Sequence, residues 1–103
     1  MDLKVLWTNT ASKQLEDIFD YYNTTANLTV ARKLVKGIVQ KTTSLSKQPR
    51  KGQRELLLAD RQKEYRYIVE GNYKIIYWVD LATVHIAAVF DSRQNPDKMT
   101  KAE

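Results

Sequence analysis

The chain has 103 residues, 43% of them hydrophobic, with a net charge of +5, no cysteine and one histidine. That length fits one domain with a packed core, and the missing thiols exclude a disulfide framework or a thiolate metal centre, while His85 alone makes a histidine zinc site within one chain improbable. No stretch approaches the ~18 apolar residues of a membrane span, and Met1-Asp2-Leu3 lacks the basic start of a secretory leader, so a cytoplasmic protein with no membrane partner is expected.

Charge is unevenly placed. Between Tyr21 and Arg54 there is no acidic residue, while Arg32, Lys33, Lys36, Lys41, Lys47, Arg50, Lys51 and Arg54 are basic. Such a one-signed segment attracts polyanions or an acidic protein surface. The alternative is a solvated basic face that keeps a small protein soluble.

In chain order, Leu3 to Trp7 reads as a short strand with apolar residues on both faces. Thr8 or Thr10 can cap the next element through its hydroxyl. Ala11, Leu15, Ile18, Phe19 and Tyr22 then recur as one helical stripe, with Lys13 able to meet Glu16 and Asp17 a turn later. The turn formers Asn23 to Asn27 end that helix. A second helix is predicted from about Thr29 to Ser46, its stripe being Val30, Leu34, Val35, Ile38, Val39 and Leu45. Gly37 inside it weakens the helix by roughly 1 kcal/mol relative to alanine and suggests close approach to the first helix. Pro49 and Gly52 turn the chain after it.

The last third changes period. Glu55 to Ala59 reads as a weak strand and Asp60 to Lys63 as a polar loop. Glu64 to Glu70 and Tyr73 to Val79 form a hairpin through Gly71-Asn72, and Thr83 to Phe90 returns after Asp80-Leu81-Ala82. Counting through two-residue turns pairs Ile68 with Ile75, Tyr77 with Ile86 and Val79 with Val84 on one face, extended by Ala88 and Phe90. Tyr65, Tyr67, Lys74, Trp78 and His85 fall on the other. The expected fold is α+β: an N-terminal strand, an antiparallel helix hairpin, then an antiparallel sheet of three to four strands covered by helices on one side. It makes a single domain over 1–103, with about 92–103 as a loosely held tail.

This order of elements resembles the RelE/ParE superfamily of bacterial toxins. The matching residues are Trp7-Thr8 leading into the first helix, with Ala11, Leu15, Ile18 and Tyr22 on its stripe. Further along come Pro49, Gly52, Arg66 and Gly71-Asn72-Tyr73-Lys74-Ile75-Ile76-Tyr77. His85-Ile86-Ala87-Ala88-Val89-Phe90 and Ser92-Arg93-Gln94-Asn95-Pro96 complete the set, which spans roughly residues 3 to 97. The resemblance implies the growth-inhibiting toxin of a type II toxin–antitoxin system, associated with plasmid stabilisation and neutralised in a hetero-oligomer by a cognate antitoxin whose C-terminal segment wraps it. One branch, RelE-like, consists of mRNA interferases that cut mRNA on the ribosome. The other, ParE-like, inhibits DNA gyrase without cutting RNA.

The residues separate the branches. RNA cleavage needs a group to take the 2′-OH proton and cations to hold the phosphate. Several nuclease members carry a histidine and a tyrosine just after the last strand, where this chain has Ser92 and Arg93. Serine is a poor base at neutral pH, and arginine does not give up its proton. A histidine-free nuclease would draw on Arg54, Arg61, Lys63, Arg66 and Arg93, with Arg66, Arg93 and Glu55 as catalytic groups. Arg66 suits bidentate phosphate binding. The structural alternative is an ion pair, with Glu64, Glu55 or the tail for Arg66 and with Asp91 or Asp97 for Arg93. His85 lies early in its strand and reads as a packed or partly exposed residue. Tyr65, Tyr67, Tyr73, Tyr77 and Trp78 offer rings for stacking; Tyr65, Tyr67 and Trp78 also suit an antitoxin surface.

The leading expectation is therefore a ParE-like toxin that inhibits gyrase by binding, in which case it is not an enzyme. The alternative is a RelE-like ribosome-dependent endonuclease, and a third reading is a member that has lost toxicity and survives as a binding partner. No cofactor is implied: Gly37, Gly52 and Gly71 are too far apart for a phosphate-cradling loop.

Overall fold

The computed structural model describes residues 2–93 and residue 102. Strand β1 (Lys4–Trp7) leads into helix α1 (Asn9–Thr25), then helix α2 (Leu28–Thr43) and a short 3₁₀ turn (Ser44–Ser46). Strands β2 (Gln53–Arg54), β3 (Arg66–Glu70), β4 (Tyr73–Asp80) and β5 (Thr83–Asp91) follow, with a second 3₁₀ turn at Leu56–Leu58. The strands form one sheet in the order β1-β5-β4-β3-β2. The α+β class and helix hairpin are as expected, but the sheet has five strands, and β1 joins β5 in parallel rather than antiparallel fashion. The two helices carry the chain from β1 to β2 at the far edge, and β3 and β4 bring it back so that β5 lies beside β1, a long connection of the kind parallel neighbours need.

Thr8, not Thr10, starts α1: its hydroxyl accepts from the Ala11 amide at 3.2 Å and donates to the Ile86 carbonyl at 3.0 Å. A cap of this kind contributes about 1 kcal/mol, and here it also ties the helix to β5. Asn23 to Thr25 do not break the helix. Thr25 bonds back to the Tyr21 carbonyl at 2.8 Å, and the turn is made by Ala26 with Asn27, whose side chain accepts from the Val30 amide at 2.9 Å.

On α1 the expected Ala11, Leu15, Ile18 and Tyr22 face the core, Ala11 fully buried, while the expected Phe19 is not part of that cluster. On α2 the expected Leu34, Ile38 and Leu45 face the core, but the stripe departs from expectation at its start and at Thr42. Val30 is 41% exposed, while Ala31, Ile38, Thr42 and then Leu45 are fully buried, a run at spacings of seven, four and three that small and polar residues concealed. Thr42 stays inside because its hydroxyl bonds the Val39 carbonyl. A Cβ at Gly37 would meet the Glu70 side chain at 3.3 Å; the close approach is therefore to β3, not to α1.

The predicted pairs Ile68–Ile75, Tyr77–Ile86 and Val79–Val84 are all formed, and Gly71 takes the positive φ of +59° that its turn requires. Beyond them the register shifts. Ile76 pairs with Ala88 and Tyr77 with Ile86, leaving Ala87 as an extra residue in β5. This bulge rotates the rest of β5, so Val89 faces the helices while Ala88 and Phe90 pack on the opposite side, against the expectation. Strand β1 ends at Trp7, opposite Ile86, and past that point Gln14 of α1 accepts the Val89 amide at 2.8 Å.

The predicted strand at 55–59 is not formed either. Only Gln53 and Arg54 pair with β3, and the Glu55 carboxylate instead caps the 3₁₀ turn by accepting from the Leu57 amide at 3.2 Å. That local bond competes with the ladder and leaves Leu56 and Leu57 76% and 64% exposed, with only Leu58 buried.

Two cores result. The helix side holds Ile38, Leu45, Ile68, Tyr73, Ile75 and Tyr77 with Val84, Ile86 and Val89 of β5. The other side holds Leu58, Tyr65, Ile76, Ala88 and Phe90, joined by Ala102. Ser92 donates to the Asn72 carbonyl from both amide and hydroxyl, and most of the tail predicted for 92–103 lies outside the described residues. Among the described residues no helix is long and apolar enough to cross a membrane.

Candidate functional site

The cations singled out from sequence fall into separate places. Arg66 opens β3, with Arg54 as its partner on β2 and Tyr77 as its partner on β4. Its guanidinium is largely held by the protein: Nη1 donates to the Gly52 carbonyl at 2.8 Å, and Nη2 lies 3.4 Å from Glu64. Arg66 Nε is buried with no hydrogen-bond acceptor among the described residues. The Gly52 amide donates in turn to the Tyr77 hydroxyl at 3.0 Å. Burial pushes the Tyr77 phenol up from its ordinary range, and the Gly52 amide and the Arg66 charge partly offset this.

Glu64 is the hub of this end of the sheet. Besides Arg66 it reaches Arg54 at 3.4 Å and Arg50 at 3.6 Å. In the sequence Arg50 is only one of a run of basic residues. Glu64 had been legible only as a partner for Arg66. Their convergence depends on a turn at Pro49 to Gly52 that brings the end of the helical region against β3.

Arg61 and Lys63 lie beside this cluster, where with Arg54 and Glu64 they line a small groove of about 120 Å³ over the 54–65 loop. The Lys63 ammonium also sits 4.0 Å from the centre of the Trp78 ring, and Trp78 stacks on His85 at 3.8 Å with an interplanar angle of 9°. His85 is thus a half-buried, packed strand residue. A cation, an indole and an imidazole stand in one column on the sheet face away from the helices.

Glu55 is not placed as a base. It is 5% exposed and ion-paired with Lys74, while its other oxygen caps the 3₁₀ turn. Lys74 lies in addition 4.1 Å over the Tyr67 ring. Tyr67 and Trp78 keep exposed edges, whereas Tyr65 is buried beneath the loop. Tyr73 and Tyr77, possible stacking rings by sequence, are both buried in the helix-side core, Tyr77 completely and Tyr73 with only an edge at the groove beside α1.

Arg93 stands apart from all of these. Its guanidinium forms a two-pronged pair with Asp91, Nε to Oδ1 at 2.9 Å and Nη2 to Oδ2 at 2.6 Å; Asp97 lies outside the described residues. That pairing holds the Arg93 guanidinium firmly protonated. Arg66 pairs with Tyr77 of β4 and Asp91 with Tyr73, four residues away, or roughly 13 Å along a strand. Arg93 borders a groove of about 530 Å³ between α1 and the end of β5, with Tyr21, Tyr22 and Tyr73. Burial and a 3.3 Å hydrogen bond to Tyr22 raise the Tyr73 phenol well above its ordinary range. Among the described residues no group of histidines and carboxylates gathers as a metal centre.

A helix hairpin on one side of a five-stranded sheet is the α+β arrangement that the resemblance to RelE/ParE toxins implies. The model of the ParE toxin of the type II toxin–antitoxin system parDE matches residues 5–96, and the chain belongs to that family. Among solved structures it is similar to the chromosomal ParDE toxin–antitoxin system from P. aeruginosa, with a TM-score of 0.71 at 19% identity over 86% of this chain and 95% of that one. It is also similar to the toxin–antitoxin complex RelBE2 from Mycobacterium tuberculosis, with a TM-score of 0.63 at 20% identity over 88% and 92%. At these identities the likeness is one of fold. No curated protein matches the chain.

Proposed function

We propose that this chain is the toxin of a type II toxin–antitoxin pair and that it acts by binding DNA gyrase. A cognate antitoxin would hold it inactive in a hetero-oligomer. The observation that carries this reading, beside membership of the ParE family, is the fate of the would-be catalytic groups. Glu55 is buried against Lys74, and Ser92 bonds to Asn72. Arg93 is locked to Asp91, away from Arg66. A nuclease needs a proton acceptor and phosphate-holding cations within hydrogen-bond reach of one scissile site. Cations and exposed ring edges are also what a protein-binding surface uses, and on this reading Arg54, Arg61, Lys63, Arg66 and Arg93 are target-binding groups, with Tyr67 and Trp78 available to the antitoxin.

A translating ribosome assay separates this from the endonuclease alternative. Purified toxin added to a cell-free translation reaction is expected to leave the mRNA intact by primer extension. Cleavage within codons that disappears in Arg66→Ala or Arg93→Ala, with the fold retained, would instead establish a RelE-like nuclease.

A further inference from the structure

Three guanidinium groups meet one carboxylate where β2 and β3 begin. Arg50 and Arg66 approach Glu64 Oε2 at 3.6 and 3.4 Å, and Arg54 approaches Oε1 at 3.4 Å. None of these contacts is as close as the Arg93–Asp91 pair of the same molecule, at 2.9 and 2.6 Å. A planar carboxylate with two oxygens does not close on three forks at once. Arg66 Nε, buried, finds no acceptor among the described residues at all. The four side chains together keep an uncompensated charge of about +2.

A phosphodiester is tetrahedral and presents acceptors in more directions than a carboxylate, which suits several arginine forks converging on one anion. Arg66 is already oriented by the Gly52 carbonyl, so little further ordering is needed to bind. Residues 22–53, which contain no acid, lead into this cluster and add Lys51 beside Arg50, and an excess of cations around the site suits a ligand whose negative charge repeats along a backbone. An acidic peptide has no need of either feature.

We propose that Arg50, Arg54 and Arg66 form a site for a nucleic-acid backbone phosphate, and that Glu64 is a built-in anion that the phosphate displaces. This rests on reading these cations as target-facing groups, and not on gyrase being the target. Glu64 and two of its partners are well exposed, and exposed ion pairs are weak, so the carboxylate leaves readily; while in place it lowers the affinity of the free toxin for bulk nucleic acid.

The test is fluorescence anisotropy of the full chain with a labelled duplex DNA of random sequence, without gyrase, over a salt series. Glu64→Gln is expected to tighten binding on the order of threefold to tenfold at low salt, more than Asp17→Asn, which changes the net charge equally on α1. Arg54→Ala and Arg50→Ala are expected to weaken binding similarly, each lowering the salt slope by about 1, more than Lys13→Ala does. Both arginines are exposed, so the folded state is expected to survive, with melting curves as the check. Glu64→Gln binding no tighter than Asp17→Asn, or arginine variants indistinguishable from Lys13→Ala, would overturn the proposal. So would tighter binding of poly-glutamate than of duplex at equal charge, which would assign the cluster to an acidic protein. Because gyrase is absent, a negative supercoiling result does not bear on these outcomes.

Discussion

Gly52→Ala is expected to destabilise the protein by about 3–5 kcal/mol, a large share of the stability of a domain this size. A methyl group there would lie 2.6 Å from the Tyr67 carbonyl oxygen and 2.6 Å from the Tyr77 hydroxyl. Tyr67 is the partner of Gln53 in the β2–β3 ladder, so its carbonyl is backbone and has nowhere to rotate. Relief requires β2 to peel from the sheet or Tyr77, fully buried, to leave its place. Overpacking of this kind costs about 1–3 kcal/mol. Losing the Gly52–Tyr77 and Gly52–Arg66 hydrogen bonds adds about 1 kcal/mol each, because the groups left behind stay desolvated. Urea denaturation followed by tryptophan fluorescence reads the change as a lower midpoint with an unaltered slope. A loss below about 1 kcal/mol would mean that the turn relaxes without disturbing Arg66, and that Gly52 is not what fixes the cationic cluster.

Lys74→Met is expected to cost a comparable amount, about 3 kcal/mol, for an electrostatic reason. Glu55 is 5% exposed, and Lys74 is its ion-pair partner. Removing one member of a buried pair strands the other charge in a poorly solvated place, which is far worse than never having buried the pair. Glu55→Gln added to Lys74→Met should restore most of the loss, since the amide can still accept from the Leu57 amide while carrying no charge. A double-mutant cycle of melting free energies isolates the term. Near-additive losses would show that Lys74 matters through its contact with the Tyr67 ring instead.

The hairpins were legible because their signals are local. Gly71-Asn72 can turn the chain, and the alternation around it places Ile68 against Ile75 whatever the rest of the molecule does. The bulge at Ala87 is not legible in the sequence: alanine fits either face, so nothing in Ala87-Ala88 says that one residue is surplus, and strict alternation puts Ala88 and Phe90 on the face opposite to the one they occupy. Val30 failed similarly, because hydropathy ranks it above Ala31, yet the closely packed position suits the smaller residue. The parallel pairing of β1 with β5 is tertiary, and no short-range pattern encodes it. Leu56 to Leu58 looks like a strand by composition and becomes a 3₁₀ turn because Glu55 caps it.

The site was read in part. Arg66 stands out through its place in the family pattern, and Glu64 is one of the partners expected for Arg66, beside Glu55 and the tail, as Asp91 is one of two expected for Arg93. That Arg66 and Arg93 occupy different places could not be seen, since it follows from the strand register. Arg50 joins the cluster only through the turn before β2, and Glu55 pairs with Lys74 across strands that sequence alone had not aligned.

The most direct test of the proposed action is plasmid supercoiling by purified gyrase and ATP, titrated with this protein refolded free of antitoxin. Dose-dependent loss of supercoiling or trapped cleaved DNA, reversed by the antitoxin, is the expected result. Unaffected gyrase, in the presence of toxin shown to be folded by its capture of antitoxin, would contradict gyrase as the target and turn attention to the ribosome and to Arg66 as a phosphate-holding catalytic group.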